Sequence, residues 1–316
     1  MLASREDCLA ILRCPKTKSP LSPEGEGRLV CAGGADTEKH AYPLVNGLPV
    51  VVDFPNSVLS EKETLAQAAK SVVERKDYRG ISGVIKHLLS PPKASTKNNV
   101  AQLVETFSGR DEPARVLIIG GGSVGQGMAP LYDHPSIKVF GFDIYASPLV
   151  QFVADAHQIP LPDDYFDGVV IQAVLEHTLQ PHIVVDEIWR VLKGDGVVYA
   201  ETPFMQQVHE AAYDFTRFSE SGHRFLFRNF DLIASGASGG PGRTFMWAAD
   251  YLARGVFRSR TAGKLAKLAV FWAQYLDNLI PERYAVDGAS GVYFYGRKAA
   301  RSISADEVIR HYKGAQ

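Results

Sequence analysis

The segment RVLIIGGGSVGQGMAPLYDHPSIKVFGFDIY, residues 115–145, constrains the fold more than any other part of the chain. Val116, Leu117, Ile118 and Ile119 form an unbroken apolar run, which fits a central strand buried on both faces rather than one with a wet side. Gly120, Gly121 and Gly122 follow at once, then Gly125 and Gly127, and a second strand-like run at 138–142 ends in Asp143. Strand, glycine turn, helix, strand and acid is the order in which a doubly wound α/β fold holds a nucleoside. Glycines let the backbone approach the ligand, and the acid accepts hydrogen bonds from ribose hydroxyls. The spacing Gly120-x-Gly122-x-x-Gly125 suits NAD and S-adenosylmethionine alike, so the turn alone does not choose between them.

A chain of 316 residues has room for one large domain and a smaller one. A net charge of −1 gives no global attraction to nucleic acid, and no nucleic-acid partner is expected. Cys8, Cys14 and Cys31 are too few for a disulfide framework, which favours a reducing compartment. The first residues mix acids and bases with a short apolar run, unlike a signal peptide, and no run approaches the roughly 18 apolar residues of a membrane span. The expectation is a soluble, cytoplasmic protein.

The first 56 residues read as a small β-rich domain, with a helix from Glu6 to Leu12 and strands at 28–31 and 48–52. LRCPKTKSPL, RLVC and YPLVNGLPVVVDF resemble the zinc-ribbon-like family that includes the activator subunit of tRNA methyltransferases. Thr17 and Gly34 stand where that family has its second and fourth cysteines. Cys14 and Cys31 alone cannot close a four-ligand zinc shell, with His40 or Asp36 as the available substitutes. The expected domain is metal-free and serves as a cap or packing module. Residues 57–97 read as a helical connector, including short helical stretches after Ser60 and at 81–89. The polar KASTKNN stretch reads as a flexible link or lid, and Val100 to Phe107 as a helix.

Further motifs follow the glycine turn in order: ADAHQIPLPDDYFDGVVIQAVLEHTLQP and then DEIWRVLKGDGVVYAETP. They resemble the class I S-adenosylmethionine-dependent methyltransferases, nearest to the ubiquinone/menaquinone C-methylase-like group, over residues 98–235. The resemblance implies an α/β, Rossmann-like, doubly wound seven-stranded sheet over 98–300, with S-adenosyl-L-methionine as cofactor. It implies that Gly120, Gly121, Gly122 and Gly125 pass under the methionine and ribose portion, and that Asp143, with Ile144 beside it, binds the ribose. Asp155 and the backbone of Ala156 are implied to read the adenine, and Gln172 to line the methionine side. Capping and strand-end roles stay open for Asp155 and Gln172. The sequence departs from the family at Ile118, where an acid usually stands, and at Val124, where the third glycine is shifted to Gly125. An NAD-dependent reading lacks any hydride-transfer constellation.

Open α/β sheets bind ligands beyond the carboxyl ends of their strands, so 176–180 and 203–224 are expected on the acceptor side. A hydroxyl acceptor needs a base, and His209 and His177 are the candidates, with Asp214 as orienting partner or alternative base. Glu176–His177 as a plain solvated turn is the bland alternative, and no metal site is expected. Strands at 230–234 and 291–297 flank a helical insertion, 243–281, read as helices at 244–256 and 262–280, before a tail at 301–316. Arg254, Arg258, Arg260, Lys264 and Lys267 occur without an intervening acid, so 254–280 is a candidate for peripheral membrane contact. The expected function is methyl transfer to a small-molecule, glycan or lipid-linked acceptor, with a catalytically weak scaffold as the alternative.

Overall fold

The computed structural model describes residues 1–31, 39–69 and 93–316. The apolar run after Arg115 is strand β5 (Ala114–Ile119), hydrogen-bonded in parallel to β6 (Ile137–Asp143) on one side and β8 (Phe166–Gln172) on the other. With β7 (Phe152–Val153), β9 (Leu192–Pro203), β10 (Phe230–Gly239) and β11 (Gly291–Lys298) they form a sheet of order β10-β11-β9-β8-β5-β6-β7. This is the expected Rossmann-like α/β sheet, and strand order reverses at β5, where such folds bind ligands. A second, antiparallel sheet joins β1 (Leu21–Glu24), β2 (Arg28–Cys31), β3 (Ala41–Val45) and β4 (Leu48–Pro49). Among the described residues no helix is long and apolar enough to cross a membrane.

The described residues divide into two compact units: 1–31, 39–69, 100–172 and 180–198 in the first, and 93–99, 173–179 and 199–316 in the second. In the first, β7 is only two residues long and pairs with Phe142 and Asp143 alone. The beginning of β6 would be an open edge. Met1–Ala3 covers it: the Val139 amide donates to Met1 O (2.8 Å), and the Ala3 amide donates to Val139 O (2.8 Å). The small sheet is tied on next to it, where the Val51 amide donates to Val153 O (2.8 Å) and Leu48, Val50, Val52, Ala68, Ala146 and Val153 share one apolar cluster. Strands β1 and β3 escaped the sequence reading because Pro23 and Pro43 interrupt the strand pattern. Asn46 and Gly47, at φ 50° and 73°, make the two-residue hairpin between β3 and β4.

The second unit corrects three expectations. KASTKNN is no lid; it opens the helix Ala94–Phe107, because Lys93 and Thr96 pack their polar ends on the buried carboxylate of Glu201. Strand β10 runs to Gly239, its Ser-Gly-Ala continuation pairing with β11. The second insertion helix is broken into Arg260–Ala269 and Ala273–Leu276, because Asp277 is needed elsewhere. Its carboxylate accepts from the amides of Gly240 (3.1 Å), Gly242 (2.7 Å) and Arg243 (3.2 Å), capping the helix Pro241–Phe257, whose own N-cap residue is a glycine. Gly242 permits this approach, since a Cβ there would sit 2.0 Å from Ala273 O. The expected helix at 81–89 falls outside the described residues. Asp277→Ala should cost about 1–2 kcal/mol, several degrees in Tm by calorimetry; an unchanged melting curve would remove Asp277 from this role.

Candidate functional site

In the first unit the glycine turn closes on the end of β6. Gly120 takes φ +75°, a conformation that suits glycine, and the Gly121 amide donates to Phe142 O (2.9 Å). The Gly122 amide donates to Asp143 Oδ2 (2.8 Å), and the Ile144 amide donates to Asp143 Oδ1 (2.7 Å). A Cβ at Gly122 would lie 2.6 Å from Asp143 Oδ2, and one at Gly125 would lie 2.1 Å from Gln172 Oε1. Four glycines, Asp143, Gln172 and the exposed Ile144 are therefore brought to one turn. Ile118, in the acid's place, is 7% exposed and belongs to the core.

Asp155 and Ala156 are held next to this turn, because the Ala154 amide donates to Asp143 O (3.1 Å). The Asp155 carboxylate accepts from the His157 amide (2.9 Å), lies 2.6 Å from His157 Nδ1, and accepts from the Ser57 hydroxyl. Burial works against its charge, but these hydrogen bonds outweigh that and keep its pKa below the usual value. The capping role of Asp155 is thus present. Ser57 carries no sequence signal; it arrives because the small sheet is anchored at Val153.

Two of the thiols near the small antiparallel sheet are each met by a hydroxyl: Cys14 Sγ by Tyr42 (3.2 Å) and Cys31 Sγ by Thr17 (3.3 Å), the residue expected to replace a second cysteine. Among the described residues neither thiol belongs to a group of three ligand side chains, and His40 joins none; Asp36 lies outside those residues.

The second unit gathers the histidines. Glu176, on the single turn Leu175–His177, is 1% exposed and no solvated turn; burial pushes its carboxyl up to about 7. Glu176 O accepts from the amides of Phe215 (2.8 Å) and Thr216 (3.3 Å), which folds the 206–217 loop over it. Arg217 pairs with both oxygens of Asp214 and donates to Gln206 O (3.0 Å), and the His209 amide donates to Asp214 Oδ2 (2.8 Å). Hydrogen bonding to Arg217 holds the Asp214 carboxyl well below the usual range. His177 and His209 meet edge to face with centroids 5.0 Å apart. Burial lowers the His209 pKa against the opposing pull of Asp214. Glu176, His177 and His209 offer ligand atoms that all lie within 4.8 Å of one another. Sequence reasoning missed Glu176 because its burial depends on a loop from a separate segment.

The turn, Asp143, Asp155 and Gln172 all fall in one recognisable stretch. Residues 117–200 match the model of the methyltransferase domain. No curated protein matches the chain. Among solved structures, the complex between the Haloferax volcanii Trm112 methyltransferase activator and the putative methyltransferase is similar at 19% identity, over 66% of this chain and 92% of that one, with a TM-score of 0.42. A putative sarcosine dimethylglycine methyltransferase from Galdieria sulphuraria is similar at 15%, over 65% and 85%, with 0.42. A SAM-dependent methyltransferase from Archaeoglobus fulgidus is similar at 14%, over 69% and 100%, with 0.41. Likeness at this level says nothing about ligand or activity. For the loop over Glu176, Asp214→Ala should lower stability by about 1–3 kcal/mol and open the chain to trypsin at Arg217; an unchanged digestion pattern would show that the loop is held by other contacts.

Proposed function

We propose that the protein transfers a methyl group from S-adenosyl-L-methionine to an acceptor. The observation that carries this reading is the Asp143 clamp on the glycine turn, inside the stretch that matches the methyltransferase domain. The donor set fits the cofactor: a carboxylate oriented by two amides for ribose hydroxyls, a close-packed glycine backbone at 120–125, and a second carboxylate, Asp155, beside buried Ala156 for the adenine. Ile144 supplies an apolar surface, and Gln172 a polar end over Gly125. When bound, the cofactor supplies an electrophilic methyl on a sulfonium. Positioning then supplies most of the rate, and a hydroxyl acceptor additionally needs its proton drawn off. The group that meets this need is assigned to the Glu176, His177 and His209 cluster, with Asp214 orienting His209. The activator-like domain serves as an internal brace, through Val51 on β7 and Ser57 on Asp155.

The acceptor is assigned to glycan or lipid-linked molecules, and the face of the helical insertion supports this. Leu252, Val256, Phe257, Leu265, Leu268, Trp272 and Leu279 are all exposed there, with Arg258, Arg260 and Lys264 exposed alongside. Apolar rings and side chains beside unpaired lysines and arginines suit the interface of an anionic bilayer. One observation favours a scaffold instead: buried Ile118 where an acid is usual.

Calorimetry with S-adenosylhomocysteine should give saturable binding, weakened at least about tenfold by Asp143→Ala, which removes hydrogen bonds to charge worth about 1.5–3 kcal/mol. Binding of NAD alone would overturn the reading, and no binding at millimolar ligand would favour the scaffold. Anionic vesicles should pellet the native chain but not Phe257→Glu/Leu265→Glu; equal pelleting would detach this face from any membrane role.

A further inference from the structure

Glu176 is 1% exposed, yet neither of its carboxylate oxygens accepts a hydrogen bond. A buried carboxylate without a partner is unfavourable and calls for an explanation. Oε1 lies 3.7 Å from His177 Nε2 and 3.8 Å from His209 Nε2, too far for a hydrogen bond and about right for atoms that share a third atom between them.

The other nitrogen of each ring is already engaged. His177 Nδ1 is 2.7 Å from Tyr213 O, which can only accept, so Nδ1 carries the proton. His209 Nδ1 is 3.2 Å from Asp214 Oδ2, and Arg217 keeps that carboxylate charged. With each Nδ1 facing an oxygen acceptor, both Nε2 atoms face Glu176. A single proton relieves only one of the two imidazole–carboxylate pairs, whereas one cation relieves both. Carbonyl and carboxylate acceptors behind the rings are also the outer-shell partners that orient metal-binding histidines.

The geometry points to a divalent transition-metal site formed by Glu176, His177 and His209. Donors about 2.0–2.2 Å from a metal stand about 3.3 Å apart, so the two carboxylate–imidazole distances close by roughly half an ångström on binding. Two imidazoles and one carboxylate, with no thiolate, select zinc, iron(II), cobalt(II) or manganese(II) and leave coordination positions open for water or an acceptor oxygen. The site goes beyond the methyl-transfer reading and does not rest on it. A metal held there would occupy His209 Nε2, so under the methyl-transfer reading it would be the metal, rather than His209, that acidifies an acceptor hydroxyl.

The test uses the untagged full-length protein, stripped with a chelator and titrated with cobalt(II) chloride in the absence of cofactor. The native chain should bind about one equivalent and develop d–d bands without a thiolate charge-transfer band. Glu176→Gln, His177→Ala and His209→Ala should each weaken cobalt binding at least about 100-fold, and Asp214→Asn about 10–100-fold. A Cys14→Ser/Cys31→Ser double variant should bind as the native chain does, which separates this site from those thiols. No cobalt uptake by the native chain at millimolar metal, a thiolate band, or unchanged uptake in folded Glu176→Gln and His209→Ala variants would overturn the proposal. Each of those results leaves homocysteine-cofactor binding at the glycine turn unaffected, so the two readings fail separately.

Discussion

The amide hydrogen bond from Gly122 to Asp143, whose other oxygen is held locally by the Ile144 amide, depends on the turn after β5 reaching the end of β6, and much of the first unit makes that approach possible. Gly122 allows it because any Cβ would collide with the carboxylate and with the Tyr145 ring. Strand β6 must also be held along its length, and β7 covers only its last two residues. Met1–Ala3 takes the other end of β6, and Val51 donates to β7. The same anchoring carries Ser57 to Asp155, so the small antiparallel sheet contributes a hydroxyl to the neighbourhood of the glycine turn.

The second unit contains two buried glutamates in opposite condition. Glu201 is desolvated, but Lys93 (3.0 Å), Thr96 and Tyr199 (2.5 Å) surround it and hold its pKa below the usual value. That carboxylate is finished, and its work is to tie the start of the helix Ala94–Phe107 to β9. Glu176 is equally buried, has no hydrogen bond to either oxygen, and faces two imidazole nitrogens. Burial alone is therefore not what distinguishes a working group from a structural one. The difference lies in whether the surrounding donors are already spent on it.

How far the chain could be read without coordinates followed from how local each signal was. The apolar run at 116–119 and the glycines after it specify a buried strand and a close backbone turn through neighbours in sequence, and both are where expected. Pro43 concealed β3, because a proline inside a strand breaks the local pattern, yet β3 lies between β2 and β4 and Pro43 still takes part through its carbonyl, which accepts from the Val50 amide (2.9 Å). The helix at 262–280 looked continuous because its apolar period is strong, but Asp277 leaves that period to cap a different helix. KASTKNN looked mobile because it is polar, whereas Lys93 and Thr96 are polar in order to satisfy Glu201.

The sequence by itself determined the α/β sheet, the glycine turn with Asp143, and the concentration of histidines and carboxylates in 176–177 and 209–217. These depend on periodicity, turn chemistry and residue type, all carried by short stretches of chain. Tertiary structure alone decided which polar groups are satisfied. Thr17 and Tyr42 meet two of the thiols, Ser57 meets Asp155, Arg217 pairs with Asp214, and Glu176 is left facing two imidazole nitrogens with no hydrogen bond to either oxygen. Hydrogen-bond partners come from segments far apart in sequence, and an unsatisfied buried group is defined by what packs around it.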